Sequence, residues 1–221
     1  MLAVLCALAV PAGTVRGEAP GCADAVAARV QRRYESVKDL AAKFDQTTRL
    51  ASLGADASSG SSESKGTVVF AKPGRMRWEY TEPDASLVVS DGKTLWIYDP
   101  AAKEVQRFPA GGGFLSGVAV QFLVGEGDLQ RDFRVKVADC AQPEVVLELT
   151  PKQDATYEKI ELVAGRESGE VRETRIFDLV GNVTKIVFRD LQTNLGPAPS
   201  TFAFEPPPGV KVIDLPEPPK P

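Results

Sequence analysis

The strongest constraint on the fold is an alternation of apolar and polar residues within residues 66–100. In its central part, Met76, Trp78 and Tyr80 alternate with charged neighbours. A period of two is typical of a strand with one apolar face and one solvated face. The Asp91-Gly92 pair between two apolar runs predicts a tight hairpin, because glycine adopts positive φ without steric cost. The stretch therefore predicts four short strands in succession.

The rest of the chain predicts a mainly β (α+β) protein. Apolar residues recur at spacings of three and four over residues 23–48, which predicts one long amphipathic helix. Residues 51–65 are rich in Ser, Gly and Ala and predict a loop. Further strands are expected at 133–138, 144–150, 157–163, 171–179, 183–190 and 201–204. Closely linked strands are antiparallel neighbours, so a sheet of about 10–11 strands should curl or close.

A second apolar helix is expected within residues 110–132, flanked by glycines on both sides. Its apolar residues at helical spacing are Phe114, Leu115, Val118 and Phe122. One interpretation is a crossover helix that plugs an end of the sheet. The other is a lid that moves on its flanking glycines. The sequence leaves both open.

The chain begins with a short apolar run, residues 2–10, followed by small residues. This run is too short to span a bilayer, and residues 1–17 are predicted to be a secretory signal peptide. The mature chain would keep two cysteines, Cys22 and Cys140. In an oxidising compartment an even pair is consistent with a disulfide, and two free thiols are the alternative. A Pro-rich tail, residues 215–221, follows the domain at 23–214.

Composition excludes several classes of function. The chain has no histidine, which excludes Ser-His-Asp and Cys-His catalysis and His-ligated metals. A net charge of −4 provides no basic surface for nucleic acid. Gly92-Lys93-Thr94 resembles the end of a phosphate loop, but a strand follows it instead of a helix. We therefore expect no catalytic residues, no metal and no cofactor, and we favour binding over catalysis. A hydrolase on a β-sandwich is the alternative from another class.

Short motifs occur in a distinctive order along the chain. They are Phe44-Asp45-Gln46, Lys72-Pro73, Trp78, Pro83, VSDGKTLWIYDP at 89–100, Thr150-Pro151-Lys152, and FAFEPPPGV at 202–210. From about residue 23 to 214 the chain resembles the periplasmic outer-membrane lipoprotein carrier family, LolA-like proteins. VSDGKTLWIYDP is the most specific of these motifs.

The resemblance implies an unclosed antiparallel β-barrel in which an N-terminal helix and a short helical lid cover an apolar cavity for acyl chains. The implied cavity wall consists of Val68, Phe70, Met76, Trp78, Tyr80, Leu95 and Ile97, for which plain core packing is the alternative. The residues named above at 114–122 would form the lid. In the family a basic residue before the strand-ending proline holds the lid closed through helix carbonyls. That position is Lys72 here, where family members commonly have arginine, and a solvated lysine is the alternative.

The family's function implies the partners and the location. The expected function is a monomeric periplasmic carrier, exported by its signal peptide, that moves lipoproteins from the inner to the outer membrane. Its partners would be acylated lipoproteins and an inner-membrane ABC lipoprotein-releasing transporter, and a separate outer-membrane receptor is left open. The alternative is a periplasmic domain of the same fold that binds another amphiphile or senses envelope stress.

Overall fold

The computed structural model describes residues 21–53, 60–109 and 127–216. Its main element is one sheet, preceded by the helix α1 (Cys22–Ser36). The strands are β1 (Asp39–Arg49), β2 (Ser61–Ala71), β3 (Arg75–Glu82), β4 (Ser86–Asp91), β5 (Thr94–Asp99), β6 (Glu104–Pro109), β7 (Phe133–Val137), β8 (Glu144–Pro151), β9 (Tyr157–Gly165), β10 (Val171–Asp178), β11 (Val183–Thr193) and β12 (Lys211–Asp214). Short helical segments are a 3₁₀ turn at Ala51–Leu53, α2 (Leu129–Asp132) and a 3₁₀ turn at Pro199–Phe202. Within the described ranges no helix is both long and apolar enough to cross a membrane.

The sheet is open, and β1 lies at its middle. The strand order is β12-β6-β5-β4-β3-β2-β1-β11-β10-β9-β8-β7, so β1 joins the N-terminal strands to the C-terminal ones. β12 runs parallel to β6, and the other pairs are antiparallel. Because the first and last strands of this order do not pair with each other in the described part, the sheet curls without closing. This confirms the predicted unclosed antiparallel architecture, with twelve strands in the described ranges instead of 10–11.

The four strands expected within residues 66–100 are confirmed as β2 to β5. The Asp91-Gly92 hairpin between β4 and β5 is also present, and Gly92 has a φ of 91°. The Asp91 carboxylate accepts hydrogen bonds from the backbone N–H groups of Lys93 and Thr94, both at 2.7 Å. These bonds hold the turn, so its role is structural.

The predicted helix at 23–48 is wrong in its second half. α1 ends at Ser36, Val37 is extended, and β1 follows. Leu40 and Phe44 are four residues apart, which places them on the same face both of a helix and of a strand. The ambiguity is resolved by pairing, because β1 bonds to β2 on one side and to β11 on the other.

The predicted loop at 51–65 is also wrong in part. A 3₁₀ turn begins at Ala51, and Ser61–Lys65 extend β2 opposite the end of β1. Backbone hydrogen bonds between strands form without apolar side chains, so the polar residues Ser61–Lys65 showed no apolar alternation from which a strand could be predicted. Residues 54–59 lie outside the described ranges.

One expectation for the C-terminal region is corrected. The short strand expected at 201–204 is replaced by the 3₁₀ turn Pro199–Phe202, in which Pro199 occupies the first turn. Lys211–Asp214, just before the predicted Pro-rich tail, form the edge strand β12. Of the Pro-rich tail, residues 217–221 lie outside the described ranges.

The two faces of the sheet carry different layers. The inner face, defined as the face that packs against α1, carries the main hydrophobic core, including Leu40, Phe70 and Leu95. On the outer face, Val89, Val105 and Phe202 are buried apart from that core. Trp96 and Tyr98 of the outer face contact Phe204, with ring centroids 6.2 and 5.7 Å apart. Phe202 and Phe204 therefore cover part of the outer face, while α1 packs on the inner face.

Candidate functional site

The residues expected in the cavity wall lie together on the inner face of β2, β3 and β5. Strand register places Val68 opposite Trp78 and Phe70 opposite Met76. Five of the seven are buried, and Tyr80 and Ile97 are partly buried against them. Alternation along the strands is the reason, because residues two apart share a face. The structure thus brings the predicted wall together; its role in holding acyl chains remains a prediction.

Aromatic side chains form the centre of this wall. The Trp78 ring lies 4.7 Å from Phe44, 5.9 Å from Phe70 and 6.3 Å from Tyr80 between centroids. Phe44 also meets Tyr80 edge-on at 5.2 Å. Phe44 belongs to β1, where the sequence predicted a helix, so it was not predicted as part of the wall. The alternation of the apolar residues Leu40, Ala42 and Phe44 indicates a strand and could have placed Phe44 in the wall.

Gly66 makes the close approach of β1, β2 and β3 feasible. A Cβ at this position would lie 1.9 Å from the carbonyl oxygen of Glu79 and 2.9 Å from the Phe44 ring. The register shifts at the same point, between Lys65 and Gly66. The glycine is therefore needed for packing at the aromatic centre of the wall.

The second half of the inner face was not among the predicted site residues. It is formed by β8, β9 and β11, whose buried residues include Leu147, Leu149, Ile160, Leu162, Ile186 and Phe188. These strands were predicted from the same alternation. Which of their residues would meet β1 could not be read from spacing, because the pairing of β1 with β11 joins segments about 140 residues apart.

Few polar groups interrupt the inner face near Trp78. The Tyr80 hydroxyl donates to Gln46 Oε1 at 3.1 Å, and burial raises the pKa of Tyr80. The indole Nε1 of Trp78 is buried and has no hydrogen-bond partner in the described part of the chain. The wall is therefore apolar with one satisfied polar pair and one unsatisfied donor.

Lys72 connects the end of β2 to the end of α1. Its Nζ donates to the backbone carbonyl oxygens of Tyr34 at 2.8 Å and Glu35 at 3.2 Å. A cation is favourable here because the last carbonyls of a helix lack partners within the helix. Burial lowers the pKa of Lys72, and the charge of Glu35 acts in the opposite direction. Helix carbonyls are the kind of acceptor that the family resemblance implied for this position.

α1 is also attached to the opposite half of the sheet. Arg33 pairs with Glu170 at 2.7 Å, and the Tyr34 hydroxyl accepts the backbone N–H of Val171 at 3.1 Å. At the other end of the helix, a disulfide joins Cys22 to Cys140, with the two Cα atoms 6.4 Å apart. The helix is thus tied to both halves of the curled sheet across its inner face.

Two groups of predicted residues lie outside the described ranges. They are the predicted lid residues, Phe114, Leu115, Val118 and Phe122, and the predicted signal peptide, residues 1–17. In the described ranges, no group of three or more Cys, Asp or Glu side chains is placed to hold a metal ion.

Residues 35–205 match the family model described as outer membrane lipoprotein carrier protein LolA. The chain belongs to this family. The outer-membrane lipoprotein carrier protein of Chromobacterium violaceum is 36% identical over 211 residues, which cover 95% of this chain and 96% of the relative. The protein of the same name from Dechloromonas aromatica is 36% identical over 152 residues, or 68% of this chain and 72% of the relative. The family resemblance predicted from the motifs is confirmed.

The fold of this chain resembles that of a solved structure with much lower sequence identity. An uncharacterized conserved protein from Thermus thermophilus has a TM-score of 0.53 at 11% identity, over 86% of this chain and 97% of that protein. At this identity the likeness concerns the fold alone.

Proposed function

We propose that this protein is a periplasmic carrier that shields the acyl chains of lipoproteins and moves them from the inner to the outer membrane. Membership of the LolA family and the names of its relatives support a lipoprotein carrier role. The observation that carries the proposal here is the apolar inner face shared by both halves of an open sheet. An open sheet can widen to admit a chain without breaking strand pairs.

The physical need for such a carrier is large. An acyl chain of about 15 methylenes left in water forgoes roughly 12 kcal/mol of transfer free energy. Burial against residues such as Val68, Met76 and Ile97 would recover that free energy. No bond has to form or break, so the proposed role is binding, without catalysis and without a cofactor. In this role the protein accepts cargo from an inner-membrane ABC transporter and delivers it at the outer membrane, with or without a receptor there. It would act as an exported monomer.

Intact-mass measurement tests the proposal. The protein is purified from a periplasm under non-denaturing conditions, and we expect lipoprotein or acyl species to remain bound. Ile97→Lys places a charge on the inner face and should lower the bound fraction at least about tenfold, since burying an unpaired charge is costly. Val146→Lys makes the same change at a position 37% exposed on the outer face and should leave binding unchanged.

A fluorescent fatty acid provides the second measurement. Wild-type protein should bind the probe and release it when lipoprotein is added. If the purified protein carries no acyl species and also fails to bind the probe, the carrier function is wrong.

A further inference from the structure

The Trp78 indole is an unusual feature of the apolar wall. Trp78 is 6% exposed, and its indole Nε1 has no hydrogen-bond partner in the described part of the chain. A hydroxyl can rotate and can either donate or accept a hydrogen bond, but an indole N–H can only donate, in one fixed direction. Buried donors in native proteins nearly always have an acceptor, and an exception calls for an explanation.

No neighbour of the indole accepts a hydrogen bond of full geometry from it. Phe44 and Phe70 present hydrocarbon rings, and Val68 lies opposite on β2. The Tyr80 hydroxyl already donates to Gln46. The Tyr80 oxygen can still accept, and a weak hydrogen-bonding contact from the Trp78 indole lowers the pKa of Tyr80 against the larger effect of burial. This contact does not have the geometry of a full hydrogen bond, so the indole N–H remains available to a better acceptor.

Two other buried polar atoms in the described ranges lack partners, Thr174 Oγ1 and Arg33 Nε. They differ from the Trp78 indole, because a hydroxyl can turn and the Arg33 guanidinium already pairs with Glu170. Trp78 therefore stands apart as a fixed donor within an apolar surface.

The position of Trp78 within the wall indicates an orientation. Strand register defines successive rows from α1 outward: Leu40, Phe70 and Met76, then Ala42, Val68 and Trp78, then Phe44, Gly66 and Tyr80. The row next to α1 is wholly apolar. The row beyond Trp78 contains the Tyr80 hydroxyl, which meets Gln46. Polarity therefore increases away from α1, and Trp78 marks the transition.

We propose that Trp78 is a specificity residue, whose indole N–H donates to the carbonyl oxygen of the ester or amide that attaches an acyl chain to its cargo. The inference rests on the proposed carrier function and deepens it. The methylenes would then lie toward the Leu40–Phe70–Met76 row, and the ester or amide would lie at the level of Trp78. A purely hydrocarbon wall would bind any chain of suitable length. A donor at this depth favours acyl chains over alkyl chains that lack the carbonyl.

Two probes that differ only in the carbonyl test this inference. They are 1-palmitoylglycerol and 1-O-hexadecylglycerol, an ester and its ether counterpart. We expect the wild-type protein to bind the ester about fivefold more tightly, as one neutral hydrogen bond would provide. Trp78→Phe keeps a ring in place, removes the donor, and should abolish this preference. Trp96→Phe is the matched control, because Trp96 packs against Phe204 on the outer face, and it should keep the preference.

Indole NMR gives a readout that does not depend on a variant folding. The chain contains two tryptophans, so labelled protein gives two indole N–H signals. The Trp78 signal should move downfield with the ester and much less with the ether, and the Trp96 signal should stay in place with both. Equal affinities for ester and ether in the wild type, or equal shifts of the Trp78 signal, would overturn this inference alone. Failure of both probes to bind would overturn the carrier function as well.

Discussion

Lys72 holds the end of α1 against the sheet through two helix carbonyls, at 2.8 and 3.2 Å. An ammonium provides these bonds as a compact charge, whereas the arginine common in the family would provide a planar fork with more donors. If loading with cargo separates α1 from β2, these bonds favour the empty state. Removing them would favour the loaded state.

We predict that Lys72→Leu slows release of cargo more than it slows loading. The release rate should fall about fivefold, equivalent to about 1 kcal/mol for the lost bonds. Stopped-flow transfer of a fluorescent acyl probe to acceptor vesicles measures release, and mixing probe with empty protein measures loading. Lys72→Arg keeps donors at this position and should behave like the wild type. Equal effects of Lys72→Leu on the two rates would argue against this role.

Gly66 provides a stability test at the aromatic centre of the wall. A Cβ there would meet the Glu79 carbonyl oxygen, which is backbone and cannot turn away. We predict that Gly66→Ala lowers the free energy of unfolding by about 1–3 kcal/mol, the usual cost of overpacking. Urea unfolding followed by tryptophan fluorescence measures the loss. Thr67→Ala, at the next and exposed position of β2, should change stability by less than about 0.5 kcal/mol. A similar loss in both variants would show that the close approach is not the cause.

At the scale of elements, charged residues form a ladder on the outer face of β8, β9 and β10. Lys159 contacts Glu148 at 2.8 Å and Glu161 at 3.0 Å. Arg175 continues the ladder with Glu161 at 3.1 Å and Glu173 at 2.5 Å. Opposite charges on adjacent strands stabilise pairing modestly, because the groups are partly solvated. The ladder therefore stabilises the pairing of β8, β9 and β10, which belong to the C-terminal half of the sheet.

The ladder predicts a specific pH dependence. The hydrogen bond from Lys159 lowers the pKa of Glu148 below its usual 4.5. A lowered folded-state pKa adds stability above the unfolded-state pKa, and that stability is lost as pH falls through the folded-state value. Glu148→Gln should therefore cost about 0.2–1 kcal/mol near neutral pH, and this cost should vanish in acid. Urea unfolding at a series of pH values measures it, with Glu158→Gln at an exposed site as control. A cost that persists at low pH would exclude the ion pair as its source.

At the scale of the whole molecule, α1 is bound to the sheet at both ends. The disulfide from Cys22 to Cys140 spans 118 residues and anchors the helix start, and Lys72 holds the helix end. A crosslink across so long a segment restricts the unfolded chain strongly. The covalent tie fixes the start of α1, and the contacts of Arg33, Tyr34 and Lys72 hold its end.

We predict that Cys22→Ser together with Cys140→Ser lowers the free energy of unfolding by about 2–5 kcal/mol. Urea unfolding with and without a reductant measures the contribution. Reductant should bring the wild type to the stability of the double variant and should leave the variant unchanged. A wild type that is insensitive to reductant after denaturation and refolding would contradict a stabilising disulfide.

Local pattern was sufficient for much of the fold and of the site. Alternation placed Met76, Trp78 and Tyr80 on one face, because side-chain direction along a strand depends only on the backbone period. The Asp91-Gly92 turn was predictable for the same kind of reason, since its geometry depends on the conformational freedom of Gly92. The order of the motifs was enough to predict the family, which the match over residues 35–205 confirms.

Pairing between distant segments decided the rest. Leu40 and Phe44 fit a helix and a strand equally well, and only the pairing of β1 with β2 and β11 selected the strand. The same long-range pairing brought Phe44 to Trp78 and turned two runs of strands into one curled sheet. By itself the sequence determined which side chains avoid water, since that depends on residue type and local period. The tertiary structure decided what those side chains face, and which donor among them is left without an acceptor, because hydrogen bonds and register across the sheet depend on contacts that local sequence does not specify.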